Sequence, residues 1–185
     1  MKQTESKYRQ VIKKCQGIFE KKNHDYGSSW RILRLPSITD QLFIKAQRIR
    51  TLQEKGVSKV NEGIEPEFIG IINYCVMGLI QSKLPNDTPL DLPTDMLTEL
   101  YSNEISEVIQ LLFDKNHDYG EAWREMRISS MTDIILMKLL RIKQIEDNEG
   151  ITLISEGVKS GYQDIINYAA FCLIKLDSTN NHHKQ

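Results

Sequence analysis

Lys22-Asn23-His24-Asp25-Tyr26-Gly27 recurs as Lys115-Asn116-His117-Asp118-Tyr119-Gly120, and this repetition decides the architecture. The correspondence extends outward at a constant offset. Trp30-Arg31 matches Trp123-Arg124, Ser37, Thr39 and Asp40 match Ser130, Thr132 and Asp133, and Lys45, Arg48 and Ile49 match Lys138, Arg141 and Ile142. After one inserted residue, Glu62-Gly63 matches Glu156-Gly157, Ile71-Ile72-Asn73-Tyr74 matches Ile165-Ile166-Asn167-Tyr168, and Leu79-Ile80 matches Leu173-Ile174. One unit is written twice. Pro85, Pro89 and Pro93 fall between the copies, where residues without a backbone donor make a stiff linker. The expected boundaries are a first repeat at 1–84, a linker at 85–93, a second repeat at 94–178 and a disordered polar tail at 179–185.

Each copy reads as three helices. Tyr8, Val11, Ile12, Cys15, Ile18 and Phe19 recur at helical spacing, as do Leu97, Leu100, Tyr101, Ile105, Val108 and Leu112. Asn23 and Gly27 should end the first helix, with a loop after it. Ser37 or Thr39 is the expected cap of the second. The third, from Phe68 to Ile80 and from Ile165 to Ile174, is apolar on nearly every side and so should be central. No useful strand alternation appears, so the fold class is all-α. A three-helix unit of about 85 residues makes a thin core alone, so the two copies are expected to fuse into one pseudo-twofold helical bundle. That would be a monomer mimicking a homodimer, or a homodimer of such chains.

Composition bounds the function. The 185 residues are 40% hydrophobic and carry a net charge of −1, enough for a real core and too neutral for a generally basic nucleic-acid binder. The average conceals a division. Residues 1–84 hold 15 Lys and Arg against 8 Asp and Glu, whereas 85–185 hold 9 against 17. Opposite signs favour docking of the copies and leave the basic first repeat as the candidate surface for nucleic acid. No apolar run suits a membrane span, and the start is polar, so a cytoplasmic protein is expected. Cys15, Cys75 and Cys172 each sit in an apolar stretch and read as buried thiols.

The repeated polar positions are the candidate site. Lys22 and Lys115 of the motif could hold a phosphate, Tyr26 and Tyr119, with Trp123 beyond the motif, could stack on a base, and Asp25 is a further candidate nucleotide-binding residue. His24 and His117 read as loop histidines or acid–base groups. Lys45 and Arg48, like Lys138 and Arg141, are spaced to share a helix face and suit a phosphate tail. Asn73 and Asn167 interrupt an Ile-rich helix, so each either bridges the copies or lines a nucleotide site.

Carboxylates divide unevenly. Glu67 aligns with Gly161 and Asp164 with Gly70, so an E-x-x-D element is split between the copies, while Glu104-x-x-Glu107 belongs to the second alone. With Glu156, a counterpart of Glu62, these form a candidate oxygen cage for Mg²⁺.

The Lys-Asn-His-Asp-Tyr-Gly motif, the following Trp-Arg, Lys45-x-x-Arg48, Glu62 and Ile-Asn-Tyr resemble the nucleotide-modification-associated domain, type one, over nearly the whole chain. That resemblance implies a role in nucleotide or base modification without an established reaction. A more distant similarity, to the all-α nucleoside triphosphate pyrophosphohydrolases of the MazG type, rests on Glu104-x-x-Glu107 and the split E-x-x-D. It implies Mg²⁺-dependent cleavage of the α–β phosphate link. Glu104, Glu107, Glu156 and Asp164 would then hold metal, with Glu156, Asp164 and Asp118 catalytic and Lys115, Lys138 and Arg141 on the phosphates. The alternatives are a non-catalytic nucleotide or nucleic-acid binding module and a plain helical scaffold.

Overall fold

The computed structural model describes residues 2–56, 63–119, 121–152 and 157–182, without the side chains of 2, 115–119 and 180–182. The first copy forms α1 (Lys2–Tyr26), α2 (Leu35–Lys55) and α3 (Glu65–Lys83). The second forms α4 (Thr94–Tyr119), α5 (Ile128–Asp147) and α6 (Val158–His182), which continues past 178. Among the described residues there is no strand, and no helix is long and apolar enough to cross a membrane.

Two helix starts and one loop differ from expectation. Both second helices begin earlier than Ser37 or Ser130, with no side-chain cap, and Pro36 occupies the first turn of α2. Proline there is pre-set for the helix and its missing donor costs nothing. Thr39 is instead buried inside α2. The motif is not a loop either. Lys22 to Tyr26 form the last turn of α1, and Gly27, at φ +60°, stops the helix by donating to the Asn23 carbonyl at 2.8 Å. A short 3-10 turn at Ser29–Ile32, mirrored at Ala122–Glu125, leads into the next helix.

The third helices lie at the centre. Ile71, Ile72, Cys75, Val76 and Leu79 of α3, with Ile165, Ile166, Ala169 and Ala170 of α6, are fully buried where α3 and α6 pack together. The copies are interleaved: α1 packs on α6 as well as on α3, and α4 packs on α3 more than on α6. Gly78 allows this closeness, because a Cβ there would stand 2.8 Å from the Tyr162 ring. All three cysteines are buried and unpaired, and burial pushes the Cys15 thiol up to about 12.

Polar seams cross the bundle in pseudo-symmetric pairs. Tyr8 donates to Asn167 at 2.7 Å, and Tyr101 donates to Asn73 at 2.8 Å. Asn73 also donates to the Cys15 carbonyl at 3.0 Å. Both asparagines therefore bridge the copies. They are buried, which corrects the expectation that they bind nucleotide. Between α2 and α5, Gln53 donates to Thr132 at 3.1 Å, while Thr39 donates to Glu146 at 2.8 Å and shares a 2.7 Å bond with Tyr162.

Glu146 thus stands where its counterpart is a neutral Gln53. Burial, with Asp40 and Asp147 nearby, raises its carboxyl above the ordinary 4.5. A raised acid pKa means that the folded state binds the extra proton, so stability falls as pH rises through the folded value. Glu146→Gln keeps an acceptor for Thr39 and removes that charge. It is expected to stabilise the protein at pH 8 by on the order of 0.5 kcal/mol and to give no gain below pH 4.5, where both states are protonated. Thermal melts at the two pH values check this.

Candidate functional site

α5 and the start of α6 enclose an open cleft of about 680 Å³ in the second copy. Lys138 and Arg141 reach it from α5, and Gly157, Ser160, Gly161 and Asp164 from the α6 side. Lys138 donates to Asp164 at 2.6 Å. Arg141 is exposed and, among the described residues, has no anionic partner. Ile142, Ile145 and Ile151 give the cleft apolar wall, and Gln144 and Asn148 add amides. The repeat singled out Lys138, Arg141 and Asp164, but missed Gln144, Asn148 and Ser160, which have no like residue in the first copy. Their signal was position alone: one or two turns from Arg141, or one turn from Asp164.

The first copy arranges the same cations differently. Glu67, buried in the first turn of α3, is bonded by Arg48 and lies 3.4 Å from the Lys45 ammonium. Lys45 lies flat across Gly70, where a Cβ would meet its Cε at 3.0 Å. In the second copy the carboxylate has moved one turn along the helix. Gly161 replaces Glu67, and Asp164 replaces Gly70. Gly161 packs so closely that a Cβ would stand 2.8 Å from Ile142. The split E-x-x-D element therefore does not converge as one cage, since each carboxylate serves cations of its own copy.

The second carboxylate pair is also committed elsewhere. Buried Glu104 and half-exposed Glu107 take Lys83 at 2.7 and 2.8 Å, and Glu107 takes Lys159 at 3.0 Å. Bonds from Lys83 and then Lys159 hold the Glu107 carboxyl below its ordinary range. The equivalent first-copy cluster has reversed signs: Lys14 bonds Glu65 and feels Asp177. Among the described residues no three His, Cys, Asp or Glu side chains are placed to hold a metal. Glu62 and Glu156 lie outside the described residues. The described carboxylates do not by themselves form a Mg²⁺ cage.

Around the motif, Lys22, His24, Asp25 and Tyr26 are exposed on the last turn of α1, with Tyr26 71% accessible and His24 3.3 Å from Asp25. Asn23 is buried and lines a second cleft of about 440 Å³ against the linker. The side chains of Lys115, His117, Asp118 and Tyr119 lie outside the described set. Trp123, expected on a base, is instead buried and stacked on Phe171 at 4.4 Å between centroids, with Arg124 over its ring. Two residues matter more than their sequence suggested. Buried Arg31 donates to the carbonyls of Thr88 and Pro89, and Ser28 donates to that of Leu90 and accepts from the Leu92 amide. These bonds dock the linker on the first copy.

The molecule is an all-α pseudo-dimer with a cation-lined cleft in its second half. It is built from two copies of one domain, described as nucleotide modification associated domain 1, which matches residues 22–82 and 115–176; the chain belongs to that family. The matched segments hold the motif and both cation pairs but not Glu104 and Glu107. No curated protein and no solved structure matches the chain.

Proposed function

We propose that this protein binds a phosphorylated nucleotide in the α5/α6 cleft, with the phosphates on Lys138 and Arg141. The observation that carries this is the meeting of two cations retained between the copies with an open cleft of about 680 Å³, within the size range of small-ligand sites. Arg141 brings a planar fork of donors that no protein anion occupies among the described residues. Ile142, Ile145 and Ile151 offer apolar surface to a base, and Gln144, Asn148 and Ser160 offer polar groups to base or sugar. Membership in a family named for nucleotide modification supports the same reading.

Asp164, in that same cleft, favours a second reading, the Mg²⁺-dependent pyrophosphohydrolase implied by the MazG-type similarity. It asks Asp164 to exchange Lys138 for a metal, with Glu156 and Asp118 beside it. One experiment separates the two. Nucleoside mono-, di- and triphosphates are titrated calorimetrically with and without Mg²⁺, and the mixtures are analysed for products. Binding is expected to strengthen with each phosphate, weaken with salt and persist without Mg²⁺. Accumulation of monophosphate and pyrophosphate only with Mg²⁺ would establish the hydrolase. Absence of any nucleotide binding would remove both readings and leave the scaffold.

A further inference from the structure

The two cation pairs are homologous, yet they meet different anions. Arg48 and Lys45 hold Glu67, whose side chain is 9% exposed. At the matching place the second copy has Gly161, which has no side chain to offer, and Arg141 faces the cleft. A carboxylate and a phosphate oxygen satisfy the same guanidinium and ammonium donors. Glu67 is held on α3 beside its partners, so its effective concentration exceeds that of any free ligand.

We propose that Glu67 is a built-in anion closing the first copy's phosphate site, so that a chain with two homologous cation pairs binds one nucleotide phosphate tail, in the second copy. This rests on the nucleotide-binding reading of the α5/α6 cleft. It also accounts for the swap of one turn. Lys45 lies flat against Gly70, where no side chain obstructs it, with its charge met at Glu67, whereas Lys138 is drawn to Asp164 and Arg141 is left facing the cleft.

The test is binding stoichiometry. Inorganic tripolyphosphate is titrated calorimetrically at low ionic strength into the full chain and into Glu67→Gln, Glu67→Ala, Arg141→Ala and Glu67→Gln/Arg141→Ala. The near-isosteric Glu67→Gln guards against a folding defect in Glu67→Ala, and circular dichroism monitors both. Counting sites that fill at the concentration saturating the unmodified chain, the expected stoichiometries are one for the unmodified chain, two for either Glu67 variant, none for Arg141→Ala, whose affinity falls about tenfold or more, and one for the double variant. If the unmodified chain binds one and Arg141→Ala none, but both Glu67 variants stay at one, the inference fails while the nucleotide reading stands. Two equivalents on the unmodified chain would also overturn it. If the unmodified chain binds nothing and a Glu67 variant gains one, the second-copy reading fails and the role of Glu67 survives. If none of the proteins binds, both fall.

Discussion

Asn73→Ala is expected to lower the unfolding free energy by about 2–4 kcal/mol. Asn73 is 5% exposed and joins both copies at one point, donating to the Cys15 carbonyl and accepting from the Tyr101 hydroxyl. Alanine removes both bonds and leaves a void beside a phenol that is fully buried. Tyr101 cannot escape by ionising, because burial drives its pKa far upward. An unsatisfied buried hydroxyl costs its desolvation, about 1–3 kcal/mol, and the cavity adds to that. Tyr101→Phe in the same background should recover part of the loss, since the orphan then disappears. Urea denaturation of the two variants measures both quantities. Asn167→Ala, which strands Tyr8, is expected to cost less, because among the described residues Asn167 has one such bond where Asn73 has two.

Arg141→Ala is expected to weaken nucleotide binding about 10- to 150-fold, the equivalent of about 1.5–3 kcal/mol for hydrogen bonds to a charged group. Melting temperature should hardly change, because Arg141 is exposed and forms no ion pair among the described residues. Arg48→Ala is the contrasting variant. It strips a partner from buried Glu67 and should cost stability, while nucleotide affinity in the second copy stays unchanged. Equal losses of affinity in the two variants would contradict the assignment of the site to the second copy. Calorimetry and thermal melts on the same samples separate the two effects.

Periodicity and repetition carry most of the fold, because each helix buries a continuous stripe that needs only its own residues to be read. Partners across the bundle are another matter. Asn73 could be seen as costly in an Ile-rich helix, but its partner Tyr101 lies in the other copy and no spacing announces it. The i, i+3 pair Glu104 and Glu107 is as suitable for lysines as for a metal, and Lys83 and Lys159 come from two other helices. Trp123 failed as a base-stacking residue because its burying surface, Phe171, lies on α6. Gly27 stops α1 where expected, but four residues after Asn23, so the motif read as a loop stays helical up to Tyr26. Lys138 and Arg141 were legible as a pair, while the cleft they face needs the start of α6 to close it.

The reversed ion clusters also discriminate between partners. Lys14 of the first copy faces Asp177 of the second, and Glu107 of the second faces Lys83 of the first. If two first copies from different chains were to pair in the same geometry, Lys14 would meet Lys83. Two second copies would bring Glu104 and Glu107 against Asp177. Both like-with-like assemblies set equal charges opposite each other, and only the mixed pair sets opposite charges across the seam. The two halves, alike in fold, thus carry complementary charge at this seam, so that each suits the other better than it suits a copy of itself.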